Sequence, residues 1–273
     1  MTFTRRRGAY AAVTLLLAGG IVWGARLAAL HLYPLALFSG WLLFGLLLGL
    51  TMFSLRKKLP FLPLGRGATW LRVHAVVGVL SVLLFGAHVG WRTPRGLIES
   101  ALFALCITVA VSGLLGLWLS RTLARRLATR GQEVIYERIP ALRLKIRREA
   151  DARALAVVAE TGSDALAHFY SVRLLPFFER PRNSLAHLLR SDRPRRLLLG
   201  DMAAFERYLS PAERERLDSF RELIGIKDDL DYHLALQGVL KTWQFVHVPL
   251  SWGLLLLGAV HGVLAQVFAA GLR

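Results

Sequence analysis

Nothing limits the folding of this chain more than the length of its apolar runs. Five windows, about residues 9–30, 34–54, 71–91, 97–119 and 243–270, are each mostly apolar over roughly 20 residues or more, enough for a helix to cross about 30 Å of hydrocarbon. Peptide groups in lipid find no water, so such runs must close their hydrogen bonds internally and fold as helices. The expected fold is an all-α integral membrane bundle with five transmembrane helices and one helical cytoplasmic insertion. Residues 1–120 would carry helices one to four, 121–240 the insertion, and 241–273 the fifth helix that completes the bundle. A hydrophobic content of 55% and a mean hydropathy of +0.46 agree with this class. Arg5, Arg6 and Arg7 precede the first run as in a signal peptide. No small-x-small cleavage site ends a short apolar core there, so an uncleaved first span is expected.

The net charge of +17 raises nucleic acid as a partner, and the distribution of charge argues against it. Residues 121–240 hold 22 Lys and Arg against 17 Asp and Glu, whereas the rest of the chain holds 13 basic residues and a single acid, Glu99. The excess therefore lies in short loops between spans, which is the positive-inside pattern. With alternating spans, Arg5–Arg7, Arg56, Lys57, Lys58, Arg66, Arg72, Arg121, Arg125, Arg126 and Arg130 share one side, while Arg26, Arg92, Arg95 and Arg273 take the other. The N-terminus and residues 121–240 are expected to be cytoplasmic and the C-terminus periplasmic, in a bacterial inner membrane.

Inside the spans one repeat stands out. His74 and His88 in the third run, and His247 and His261 in the fifth, are both separated by 14 residues. That interval is just under four helical turns, so the two imidazoles of each pair share a face, about 21 Å apart along the axis. Ionisable groups at membrane depth are costly and point to function. Charge-derived topology makes spans three and five parallel, so His74 would face His247 at one level and His88 would face His261 at the other. Each level then offers two axial nitrogens to one iron, the arrangement of two stacked b-type haems. The lone cysteine, Cys106, excludes both a disulfide and a CxxCH attachment site, so haem would be held without covalent links.

Neighbouring residues suit such cofactors. Gly78 lies one turn after His74, Gly86 beside His88, and Gly253, Gly258 and Gly262 along the fifth span; Ser112, Gly113 and Gly116 lie in the fourth. Small side chains admit flat rings and close helix approach. Ser81, Thr108, Ser112 and Ser251 are candidates to hold the second imidazole nitrogen. Haem propionates prefer cations near the interface. Arg72 and Lys241 are placed for the inner haem, Arg92 and Arg95 for the outer. Pro249, two residues after His247, predicts a kink in the fifth helix. Trp70, Trp91, Trp118 and Trp243 fall at span ends, as interfacial belts do. Glu99 begins the fourth span as a helix-start acid or a proton acceptor. His31, His168, His187 and His233 lack ligand spacing and read as surface or locally bonded histidines.

The insertion mixes charged and apolar residues at helical spacing, with breaks expected at Pro140, Gly162, Pro176, Pro181, Pro194 and Gly200. Ser210, Pro211 and Glu213 form a helix-start signature, and a further helix is expected near Asp228, running into the fifth span. No phosphate-loop or dinucleotide fingerprint occurs, so no cofactor is expected in this segment. Its basic face suits an anionic membrane surface or a partner subunit.

The doubled interval of His74 with His88 and His247 with His261 resembles the haem-binding four-helix core of the cytochrome b family of quinol-oxidising complexes, over spans two to five. That resemblance implies bis-histidine haems, a quinone or quinol site and electron movement across the membrane. The chain departs from the family by its insertion of about 120 residues and by lacking a Pro-Glu-Trp-Tyr motif, as a distant di-haem cytochrome would. The expected function is a subunit of a quinone oxidoreductase passing electrons between the quinone pool and a partner, such as an external cytochrome c or iron–sulfur protein. The alternative is a haem-binding structural or assembly subunit. A proton-relaying transporter would carry acids within its spans, and none is present between their ends.

Overall fold

In a computed structural model of the chain, residues 19–20, 23, 35–56, 67–132, 134–161 and 164–271 are described. Among them there is no β-strand. Four helices among the described residues are long and apolar enough to cross a membrane: α1 (Leu35–Arg56), α2 (Gly67–Val89), α3 (Leu97–Leu127) and the C-terminal helix. These match four of the five expected spans and define a multi-pass membrane protein. Apart from residues 19–20 and 23, the expected span at 9–30 lies outside the described residues, as does His31.

Two compact units divide the chain. One takes the chain to Leu117 and from Gln244 onward; the other is Trp118–Trp243. In the first unit, aliphatic side chains such as Val79, Leu83, Leu114, Leu256 and Val263 are exposed. On a soluble domain so many exposed aliphatics would be a liability; on spanning helices they are the lipid-facing surface. The interior is a seam of Leu43, Leu84, Phe85, Cys106 and Leu254, with Phe85 packed on Phe103 at 5.6 Å between ring centres.

The second unit contains α4 (Ile139–Thr161), α5 (Asp164–Phe169), α6 (Leu175–Glu179), α7 (Ser184–Leu188), α8 (Arg193–Phe205) and the first half of α9 (Pro211–Gly271). Its core draws one face from each long helix. Ile139, Ile146, Ala150 and Val157 come from α4, and Leu217, Phe220 and Ile224 from α9, at spacings of three, four and seven that keep them on one side. Phe169 stacks on Phe205 at 4.4 Å.

The prolines of this unit start helices more often than they break them. Pro140, Pro194 and Pro211 all sit in first turns, where the missing N–H would lack an intrahelical partner anyway. Between α5 and α6 the chain widens to a π turn at Tyr170–Leu174. Pro176, which has no N–H to give to Val172, accounts for the slip. Gly200 lies within α8 instead of ending a helix.

At the start of α9 the Ser210 N–H donates to Glu213 Oε2 at 2.8 Å, and the Glu213 N–H donates to Ser210 Oγ at 3.4 Å. This is the reciprocal cap expected there. The expected fresh start near Asp228 does not occur: α9 runs unbroken for 61 residues. No proline lies between Pro211 and Pro249 within it, and the acids at 228 and 231 are paired, so nothing in that region favours stopping. The helix also continues through Pro249.

Candidate functional site

The four repeated histidines come together in the first unit. His74 interacts electrostatically with His247, and His88 with His261. Because the lower-numbered residue of each helix meets the lower-numbered residue of the other, α2 and α9 run in the same sense. All four rings are half-buried.

Each ring is held differently. Ser39, on α1, lies 2.9 Å from His88 Nδ1 and 3.2 Å from the carbonyl of Ala36. A hydroxyl has one proton; given to Ala36, it leaves Ser39 Oγ to accept from His88 Nδ1–H, so that Nε2 keeps its lone pair. Ser112 Oγ lies 3.1 Å from His247 Nδ1, linking α3 to α9. His74 packs against Phe53 at 5.0 Å and interacts with the Leu50 carbonyl. Its Nδ1 is buried without a hydrogen-bond partner among the described residues.

Of the serines and threonines expected to hold histidines, only Ser112 does so. Ser81, Thr108 and Ser251 donate to carbonyls of their own helices, at Val77, Ala104 and His247. Ser39 was not foreseen, because its helix carries no member of the repeat and it lies 49 residues from His88.

A cavity of about 280 Å³ opens between the helices at the His88 level, lined by both His88 and His261 together with Trp41, Phe44, Phe85, Glu99 and Cys106. Glycines shape it. A Cβ at Gly40 would sit 3.1 Å from His88 Cε1, and at Gly258 and Gly262 it would meet Phe44 and Trp41 at 3.8 Å. At the other level, a Cβ at Gly113 would lie 3.6 Å from His247 Cε1, while Gly78 has open space beside it. Gly86 serves a separate purpose. Trp91, at φ 56°, folds its indole onto it, and a Cβ there would come within 2.6 Å of the ring.

The residues fit an axially held macrocycle: paired imidazoles, a cavity bounded by glycine and aromatic rings, and an orphaned ring nitrogen at His74. An unmade hydrogen bond to a buried group costs about 1–3 kcal/mol. The expected cationic partners are less uniform. Arg72 and Arg92 are exposed at the ends of the α2 region. Lys241 lies in the second unit, where its Nζ is 2.5 Å from Glu137 Oε1 and 5.4 Å from the Tyr136 ring centre. Glu99 stands in the first turn of α3 with its carboxylate against Gly96 and also borders the cavity.

Of the other histidines of the second unit, His168 is exposed, as expected, and one of the remaining two departs from the surface or locally bonded reading. His233 is buried, with Nε2 2.9 Å from the Arg130 carbonyl, and is locally bonded as expected. His187 is buried, with neither ring nitrogen hydrogen-bonded among the described residues.

No family model matches the chain, and no curated protein or solved structure gives a significant match.

Proposed function

We propose that this chain is a membrane-embedded di-haem b-type cytochrome subunit, distantly like the cytochrome b family, that moves electrons between the quinone pool and a partner redox protein. A partner is required because the chain has no later carrier of its own; an external cytochrome c or iron–sulfur protein suits that role. Its home would be a bacterial cytoplasmic membrane, with the N-terminus and the insertion on the cytoplasmic side, as the loop charges indicate.

One observation carries the proposal: His74 is within electrostatic reach of His247 and His88 of His261, in the same order along two helices of the same sense. When bound, haem iron would supply reversible one-electron chemistry. The protein's own residues do the rest. His88 and His261 would hold the haem of the outer site, and His74 and His247 that of the inner. Ser39 and Ser112 orient His88 and His247 through Nδ1, which fixes tautomer and raises ligand basicity. Gly40, Gly258 and Gly262 keep the outer space clear, while Trp41, Phe44 and Phe85 keep water from it.

The test is the visible spectrum of purified full-length protein, oxidised and dithionite-reduced, with haem counted per chain. Two reducible b haems are expected. His88→Ala should remove one and leave the other; loss of both, or a colourless wild-type sample made with ample iron, would end the proposal. Reduction by a menaquinol or ubiquinol analogue then tests the quinone step.

A further inference from the structure

The second unit holds a cavity of about 620 Å³ where the end of α3 faces the turn after α7, and four arginines line it: Arg125, Arg126, Arg130 and Arg190. Two of them are structural. Arg126 donates to the carbonyls of His187 and Leu188, and Arg130 is engaged by Asp228, Asp229 and, at 3.6 Å, Asp192. These bonds clamp the turn at 187–192 to α3 and α9.

The other two arginines are available. Arg190 is exposed, and its guanidinium has no hydrogen-bond or ion-pair partner among the described residues. Arg125 uses only Nε, on the Arg121 carbonyl at 3.0 Å. Arg190 is held at φ 59°, in the left-handed region, by a turn in which the Ser191 N–H donates to the Ala186 carbonyl at 2.8 Å. A side-chain-bearing residue adopts that backbone at a cost. Against these cations the lining offers one acid, Asp192, already beside Arg130.

A second feature points into the same space. His187 lines the cavity, is 4% exposed, and has both ring nitrogens without a hydrogen-bond partner among the described residues. Its nearest charged neighbour is Asp228, 3.6 Å from Nε2. A buried imidazole without a hydrogen bond, beside two guanidinium groups whose terminal N–H groups are unused among the described residues, is arranged for a ligand with several acceptor oxygens.

We propose that this cavity is a phosphate-binding site, with Arg125 and Arg190 grasping the anion and His187 completing the back wall. Guanidinium forks match phosphate oxygens two at a time, which carboxylate-lined or neutral pockets do not. Arg125 lies six residues past the apolar run that ends at 119, about 9 Å along the helix axis, a depth suited to lipid headgroups. Leu185, in α7, and Leu189, next to Arg190 in the turn that follows, are 70% and 71% exposed. An apolar rim beside a basic pocket favours a phospholipid as the source of the phosphate, though a free phosphate shares the chemistry.

The test uses full-length protein in neutral detergent, titrated with dihexanoyl-phosphatidylglycerol, dihexanoyl-phosphatidylcholine and inorganic phosphate, with binding followed by calorimetry and by Tm. Saturable binding of phosphatidylglycerol is expected, weakened by about tenfold for each of Arg125→Gln and Arg190→Gln. The variant Lys145→Gln with Arg148→Gln removes twice the charge of either single change, at exposed positions outside the cavity, and should bind as wild type. Binding by the lipid alone identifies a headgroup; binding by phosphate as well shows that the anion suffices. Absence of saturable binding by any of these, or equal weakening in the Lys145/Arg148 variant, overturns the proposal. Ligand-free Tm of each variant checks that the fold is intact.

Discussion

Ser39 Oγ stands 2.9 Å from His88 Nδ1, joining α1 to α2 at the level of the cavity shared with His261. The contact orients a ring that would otherwise turn freely about its χ2 bond. It also shows that α1, which carries no histidine of the repeat, takes part in the site.

Replacing Ser39 by Ala should therefore loosen His88 without disturbing His74 and His247. In the haem-loaded protein, haem affinity at the outer site is expected to fall by about 10- to 100-fold, as when such supporting partners are lost elsewhere. Potentiometric titration of both haems checks this: one midpoint should move and the other stay. Movement of both, or of neither, would contradict the assignment of Ser39 to a single site.

Gly40 and Gly45 lie on one helix but differ in what surrounds them. A Cβ at Gly40 would meet His88 Cε1 at 3.1 Å, whereas at Gly45 it would meet nothing within 4 Å. Gly40→Ala should displace the His88 ring and alter the spectrum of one haem, and Gly40→Val should do so more strongly. Gly45→Ala should be spectrally silent and gain up to about 1 kcal/mol of helix stability. Equal effects at the two positions would show that Gly40 acts only through helix propensity.

In the second unit Lys227 and Asp231, both fully buried, form an ion pair one turn apart on α9. Lys227 also donates to the Arg180 carbonyl at 2.9 Å and lies 4.1 Å from the Phe177 ring centre. Asp231 additionally accepts from the Arg182 N–H at 2.9 Å and faces Arg143 at 3.1 Å. Removing one partner strands a buried charge, so Asp231→Leu and Lys227→Met should each cost about 3–5 kcal/mol. Lys227→Met with Asp231→Leu should cost less than the two single changes together. Thermal melts of the four proteins give the coupling directly.

His187 should make stability depend on pH. Burial holds its pKa below the ordinary value, with the neighbouring Asp228 opposing in part. The folded state thus keeps the ring neutral while the unfolded chain takes up a proton below about pH 6.5. Where the unfolded state binds more protons, stability rises with pH. Ligand-free protein should be at full stability above pH 7 and lose it as pH falls from 6.5 toward the lowered folded value. Melts from pH 7.5 to 5.5 should show this slope in wild type and a shallower one in His187→Asn. An unchanged slope in the variant would place the acid sensitivity elsewhere.

Much of the fold was legible in the sequence because hydrocarbon permits few solutions. Apolar runs of about 20 residues at 34–54, 71–91, 97–119 and 243–270 become helices, and capping chemistry at Ser210 and Glu213 sets where α9 starts. The repeat of 14 residues likewise placed His74 with His88 and His247 with His261 on helix faces, since helical periodicity is local. Periodicity says nothing about which polar groups arrive from other helices. Ser39, on α1, and the turn that leaves His187 buried are cases of that kind. So are the pairing of Lys241 with Glu137 and the use of Gly86 as a seat for Trp91.

By itself, then, the sequence determined that the chain is helical, that it is built for a membrane, and that its histidines stand at matched levels, because each follows from interactions within a single segment. Tertiary structure alone decided which hydroxyls orient the imidazoles, and which arginines of the second unit are engaged and which remain available. Those outcomes depend on contacts between residues distant along the chain, where packing and the cost of burying unpaired polar groups select one arrangement among many.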